Sequence, residues 1–143
     1  MCYSRHVHVR VFISYADADR KVAEKLAEAL KSHGQSVWFD HWKLMPGEDW
    51  HQAIRSALQE SNAMVVLMSK AAAHSRWVTT EIDFALGSAS YKRRVVPVLL
   101  DDEAAEQMPW ILRTFHSVQL ISTSPGAIDD AAVEVARALE ATG

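Results

Sequence analysis

Ala63-Met-Val-Val-Leu-Met68 is six apolar residues without a break, closed by Ser69, and its reading decides the fold. A strand with one wet face alternates polar and apolar residues. An uninterrupted apolar run of strand length is instead buried on both faces, the situation of a central strand in a parallel sheet. Working upstream, His8 to Ser14 is a first strand centred on Val9, Val11, Phe12 and Ile13. Asp17 and Asp19 follow, either one placed to cap a helix that runs to about His33. That helix carries Val22, Leu26 and Leu30 on one face and stops at Gly34. Ser36 to Asp40 reads as the second strand, and a helix from near Glu48 buries Trp50, Ile54 and Leu58 at four-residue spacing. Downstream, a helix spans about Ser75 to Ser88, Arg94 to Leu100 is the fourth strand and Val118 to Ile121 a short fifth. Ile128 to Ala141, with Val133, Val135 and Leu139, closes the chain as an amphipathic helix.

Strands alternating with helices imply a doubly wound α/β fold. The expected form is a flavodoxin-like three-layer sandwich: a five-stranded parallel sheet of order 2-1-3-4-5 with helices on both faces. At 143 residues it is one domain, 1–143, with 1–8 as an N-terminal extension. Gly143, just after a helix, suits either a terminus or a cut ahead of another domain. In this strand order the chain reverses direction between strands one and three, and ligands of open α/β sheets bind outside the carboxyl ends at that reversal. Tyr15 to Asp19, the Trp42 to Gly47 loop and Ser69 to Glu81 converge there.

Composition narrows the function. Hydrophobic residues are 49% and charged residues 23% of the chain, which is globular rather than disordered. A net charge of −3, with seven His counted neutral, gives no general pull toward nucleic acid. The single cysteine, Cys2, forms no internal disulfide and fits a reducing compartment. No apolar run is long enough to span a bilayer and the first ten residues lack a signal-peptide core, so a cytoplasmic protein without a membrane partner is expected.

Motif by motif, several chemistries fall away. Neither Gly-x-Gly-x-x-Gly nor Gly-x-x-x-x-Gly-Lys occurs, so no phosphate-cradling glycine loop is written here. A phosphoacceptor receiver would need an Asp closing strand three, where Met68 and Ser69 stand. His6 and His8 share a strand face but lack a further ligand, and no metal is expected. His41, His51 and His74 are scattered near the ligand edge and expected in solvent; Lys92-Arg93-Arg94 reads as a solvated turn. Trp77 and Glu81, four apart, share one face of their helix, while Val78, Ile82 and Leu86 or Ala85 are expected to serve the core from another. A carboxylate beside a large ring at a ligand edge is partly desolvated and suited to stabilising positive charge. On spacing alone, a surface glutamate near a half-buried Trp is the plainer reading.

Five segments in order carry a family likeness. Val11-Phe-Ile-Ser-Tyr15 resembles the first signature box of TIR (Toll/interleukin-1 receptor) domains. His33-Gly-Gln-Ser-Val-Trp-Phe-Asp40 is similar to that family's second strand, and Leu44-Met-Pro-Gly47 to the loop after it. Ser75 to Glu81 resembles the family's Trp-x-x-x-Glu element, and Arg94-Val-Val-Pro-Val98 its fourth strand. The likeness covers residues 9 to about 140.

The resemblance implies one of two functions. Some TIR domains are adaptors that associate with other TIR domains; others cleave NAD+ at the nicotinamide–ribose bond, with the Glu of the element after strand three as catalytic residue. Glu81 matches that residue, which typical animal adaptors lack, so the resemblance favours a bacterial NAD-cleaving enzyme acting in antiphage defence or immune-type signalling. NAD+ is then the substrate, with no cofactor and no metal. Glu81 would stabilise the oxocarbenium-like ribose, and the next attacking group decides between ADP-ribose and a cyclic ADP-ribose isomer. Trp77 would support the carboxylate. Ser14, Tyr15 and Asp17 would contact phosphate or ribose, and Phe39, Asp40, Trp42 and Lys43 would frame the nicotinamide side. Related enzymes often carry basic residues where Ala16-Asp17 stand, which passes phosphate contacts to Lys43 or Arg76. The loop residues Leu44, Met45, Pro46 and Gly47 would dock on a neighbouring TIR domain, forming a homo-oligomer or filament that activates the site. The alternative functions are a non-catalytic interaction module, including an effector binding host TIR adaptors, and nucleotide sensing without turnover.

Overall fold

The computed structural model describes residues 9–38, 50–91 and 94–142, with the side chains of 50, 51, 141 and 142 excepted. Among the described residues five strands form one sheet: β1 (Arg10–Ser14), β2 (Ser36–Trp38), β3 (Ala63–Met68), β4 (Val95–Leu99) and β5 (Val118–Gln119). The order is β2-β1-β3-β4-β5 and every pairing is parallel, as the sequence pattern requires. β3 is central, in register with β1 through Val11–Ala63 to Ser14–Val66 and with β4 through Met64–Val95 to Met68–Leu99. All six of its residues are buried, which is why its sequence shows no alternation.

The helices are α1 (Arg20–Ser32), α2 (Trp50–Glu60), α3 (Lys70–Ala73), α4 (Arg76–Gly87), α5 (Ala104–Gln107) and α6 (Pro125–Thr142). Two cores flank the sheet. On one face Val11, Ile13, Val65, Leu67, Val96 and Val98 meet Leu26 and Leu30 of α1 and Val135 and Leu139 of α6. On the other, Phe12, Met64, Val66, Met68 and Val95 meet Ile54 and Leu58 of α2 and Val78, Ile82 and Ala85 of α4. Gly34 ends α1 at φ +87°, in the left-handed region where a Cβ is unfavourable.

Several boundaries differ from the sequence reading. β1 begins at Arg10 and β5 ends at Gln119. α6 starts three residues earlier than expected, at Pro125, because a proline needs no hydrogen-bond acceptor in the first turn. α3 and α5 are four residues each, too short to leave a periodic signature. Asp19 stands at the N-cap position of α1 without a side-chain capping bond, and Asp17 lies in a one-turn 3-10 segment, Asp17–Asp19. Arg94, expected in a solvated turn, is 1% exposed: it directly precedes β4 and its guanidinium reaches Asn62 O at 3.4 Å.

Candidate active site

The period of two along β1 sorts its side chains between the two cores. Val11, Ile13 and Tyr15 face α1 and α6, whereas Phe12, Ser14 and Ala16 face α2 and α4. Ser14 therefore ends the strand pointing toward α4. There its Oγ donates to Oε1 of Glu81 at 2.6 Å, and both residues are buried, at 0% and 2% exposure.

Glu81 is held by the geometry of α4. Ser75 caps the helix, its Oγ accepting from Val78 N at 3.2 Å, and the chain before it comes straight from the carboxyl end of β3 through α3. The buried stripe of α4 is Val78, Glu81, Ile82 and Ala85, at i, i+3, i+4 and i+7. The expected separation of Glu81 from the core-facing residues is thus corrected: at 3.6 residues per turn, position 81 falls inside the stripe. The carboxylate occupies a place where an apolar residue would pack. Burying such a group without partners costs several kcal/mol, about the size of a domain's net stability, so the Ser14 hydroxyl is an essential compensation.

Tyr91, fully buried, completes the surroundings. Its hydroxyl donates to Leu58 O at 2.8 Å, and its ring meets Phe84 edge-on at 6.2 Å. Burial, and after it the negative charge of Glu81, pushes the phenol well above its ordinary pKa of 10.0. Tyr91 therefore stays a neutral donor. No period or motif singles it out in the sequence; only its polar tip just before a buried strand hints at a role.

Across the same sheet edge, Ser69 Oγ donates to Oδ2 of Asp19 at 2.5 Å and accepts Ala72 N at 3.1 Å. Trp38, at the end of β2, stacks on Phe12 with ring centroids 5.2 Å apart and planes at 6°. Of the residues expected to bind substrate, Ser14 and Trp77 lie on the Glu81 side, Trp77 half-buried against the α2–α4 core. Asp17 is exposed in the loop after β1, while the Tyr15 ring packs in the opposite core. Phe39, Asp40, Trp42, Lys43, Leu44, Met45, Pro46 and Gly47 lie outside the described residues, as do Cys2, His6, His8, His41, Lys92 and Arg93 and the side chain of His51. His74 is exposed at the end of α3. Among the described residues no group of three or more His, Cys, Asp or Glu is arranged to hold a metal ion, and no helix is long and apolar enough to cross a membrane. A groove of about 420 Å³ between α1 and the start of α6, lined by Lys25, Glu28, Ile128 and Asp129, is on the far face of the sheet from Glu81.

The chain is similar to known proteins in sequence and fold. A family model described as "TIR domain" matches residues 11–143. The chain is 32% identical over 120 residues to "2' cyclic ADP-D-ribose synthase BtTIR" of Bacteroides thetaiotaomicron, covering 83% of this chain and 42% of that protein. It is 29% identical over 126 residues to "NAD(+) hydrolase PdTIR" of Paracoccus denitrificans, covering 84% of this chain and 40% of the relative. Among solved structures, a metazoan TIR-STING receptor from C. gigas superposes with a TM-score of 0.70 at 27% identity, over 94% of this chain and 42% of the receptor. The chain thus spans less than half the length of each of these proteins.

Proposed function

The chain belongs to the TIR family, and from that premise we propose that it is an NAD+ nucleosidase with Glu81 as its catalytic residue. The observation that carries the reading is the Glu81 carboxylate itself: buried on the core stripe of α4, bonded to Ser14, at the carboxyl edge of the sheet where the strand order reverses. A charged group in so costly a place, with no packing reason for its charge, is a functional candidate. The names of two relatives, an NAD+ hydrolase and a cyclic ADP-ribose synthase, supply the reaction class.

Nicotinamide in NAD+ is a cationic pyridinium, so its bond to ribose breaks with the electron pair going to the ring and needs no general acid. The sugar left behind carries oxocarbenium charge. A fixed carboxylate in a dry site stabilises that charge far better than water does, because it needs no reorganisation as the bond breaks. Ser14 acts by holding Glu81 in one orientation. Water then adds its oxygen at the anomeric carbon and releases a proton, giving ADP-ribose; attack by a group of the same dinucleotide gives a cyclic isomer. Both outcomes occur among the relatives' names. In a bacterial cell either would serve antiphage defence, by NAD depletion or by a nucleotide signal.

At 2% exposure in a single chain, Glu81 is closed to a ribose. This supports the further reading that self-association of TIR domains opens the site, in a cytoplasmic homo-oligomer that uses the loop around Leu44 to Gly47. Incubating concentrated protein with NAD+ and following nicotinamide by chromatography tests the proposal. Release is expected from the native chain, falling by roughly 10²–10³ in Glu81→Gln, the scale of losing one group that stabilises transition-state charge. Equal release by both proteins would sink the enzyme reading in favour of an interaction module.

A further inference from the structure

The hydrogen bond between Ser69 and Asp19 joins two loops that the fold sends in opposite directions. After β1 the chain turns toward α1 on one face of the sheet; after β3 it turns through α3 toward α4 on the other. β1 and β3 are adjacent, so their carboxyl ends bound the crevice at the switch point. Asp19 reaches across that crevice to Ser69, 50 residues away in sequence, at 2.5 Å. We propose that Asp19 and Ser69 form a clasp that fixes the connection between β3 and α4, making both of them positioning residues for the reaction at Glu81. The proposal rests on the NAD-cleaving reading of the site.

Three observations carry it. First, Asp19 is where the cap of α1 belongs, yet its carboxylate makes no bond to α1 and is committed to Ser69 instead. A short contact from a hydroxyl to a carboxylate is among the stronger hydrogen bonds, so the exchange favours the link between loops over the helix end. Second, Ser69 is 6% exposed and uses its one oxygen twice, as donor to Asp19 and as acceptor for Ala72 N at the start of α3. Third, α3 has only four residues and cannot hold itself in place by its own hydrogen bonds. It packs on β3, α4 and α5, and leads through His74 and Ser75 into the helix bearing Trp77 and Glu81. Whatever sets α3 sets the entry of α4, and small displacements of a catalytic group cost rate more than they cost binding.

The test is a double-mutant cycle in the native chain: Asp19→Ala, Ser69→Ala and both together, with Ser69→Thr as the conservative variant. Asp19→Ala leaves the Ser69 cap on Ala72 intact. It is expected to lower kcat for nicotinamide release about tenfold while KM for NAD+ changes less than about twofold, with the double variant no slower than the slower single. Ser69→Thr keeps the hydroxyl and is expected to restore kcat. Native kcat in Asp19→Ala, or losses that multiply in the double variant, would overturn the clasp. Amide hydrogen exchange over residues 72–78, measured without NAD+, reads the same link independently: it is expected to speed up in Asp19→Ala. If the native chain released no nicotinamide, the enzyme reading would fail while exchange still decided the clasp, and unchanged exchange would refute it. Variants that fail to fold show in their melting curves; Asp19→Leu, which keeps about the same size and offers no acceptor to Ser69, then takes the place of Asp19→Ala.

Discussion

Ser14 and Glu81, 67 residues apart, meet in a 2.6 Å hydrogen bond between the end of the first strand and the buried stripe of α4. Each needs the other's polar group, but the pair as a whole has no stability reason to be polar. Ser14→Ala leaves the carboxylate one donor short and is expected to cost about 1–3 kcal/mol. In a chain of this size that lowers the melting temperature by about 2–4 °C for each kcal/mol. The pair Ser14→Ala with Glu81→Met replaces both polar groups by apolar ones, and is expected to melt at or above the native temperature. It should also release no nicotinamide. Scanning calorimetry and a nicotinamide assay on the three proteins check the trade between stability and activity.

Tyr91 links stability to alkaline pH. Its folded-state pKa lies above the ordinary 10.0, so the folded chain keeps the phenol proton after the unfolded chain has lost it. The contribution is complete below about pH 10 and is lost as pH rises from there toward the raised native value. Tyr91→Phe is expected to be less stable by about 1 kcal/mol near neutrality, for the lost bond to Leu58 O. The native chain should then lose stability faster than the variant above about pH 10. Urea unfolding of both proteins between about pH 8 and 11 reads the difference.

Asp17 is exposed beside the crevice, where the NAD+ of the proposed function would bring two negative phosphates. Asp17→Lys is expected to lower KM for NAD+ a few-fold at low salt, with kcat and melting temperature nearly unchanged. The gain should fade at about 1 M salt, where the Debye length is near 3 Å. A salt-independent effect would place the phosphates elsewhere.

Assembly, if it opens the site, makes specific activity depend on protein concentration. Nicotinamide release per chain is expected to rise with concentration and to plateau, and Leu44→Glu to abolish the rise without changing the melting temperature. Light scattering alongside the assay relates activity to oligomer size. Constant specific activity across the dilution series would refute activation by self-association.

Much of this fold is written in local patterns. The unbroken run Ala63–Met68 gave the central strand to the residue, and the spacing of Leu26 and Leu30 gave the inner face of α1. What stayed hidden was anything decided between distant segments. The period of α4 includes Glu81 in its buried stripe, but a Glu among apolar residues reads as surface until Ser14 is brought to it by the pairing of β1 with β3. Asp19 reads as a helix cap because caps are local, and only the neighbouring β3 loop shows that Ser69 takes its carboxylate. Arg94 reads as part of a basic turn because it follows Lys92 and Arg93, whereas the buried strand that starts at Val95 draws it into the structure beside Asn62.

The dispersal of the site along the chain bears on how it is made. Ser14 leaves the ribosome early and Glu81 well after it, and β1 lies between β2 and β3 with α6, the last helix, sealing its other face. A nascent or truncated chain that ends before α6 therefore holds both Ser14 and Glu81 while the other face of β1 is still uncovered. Under the proposed function, synthesis order alone would give the cell a safeguard: an unfinished copy would lack the closed core that steadies the Ser14–Glu81 pair, and the capacity to consume NAD would arrive only with the last helix.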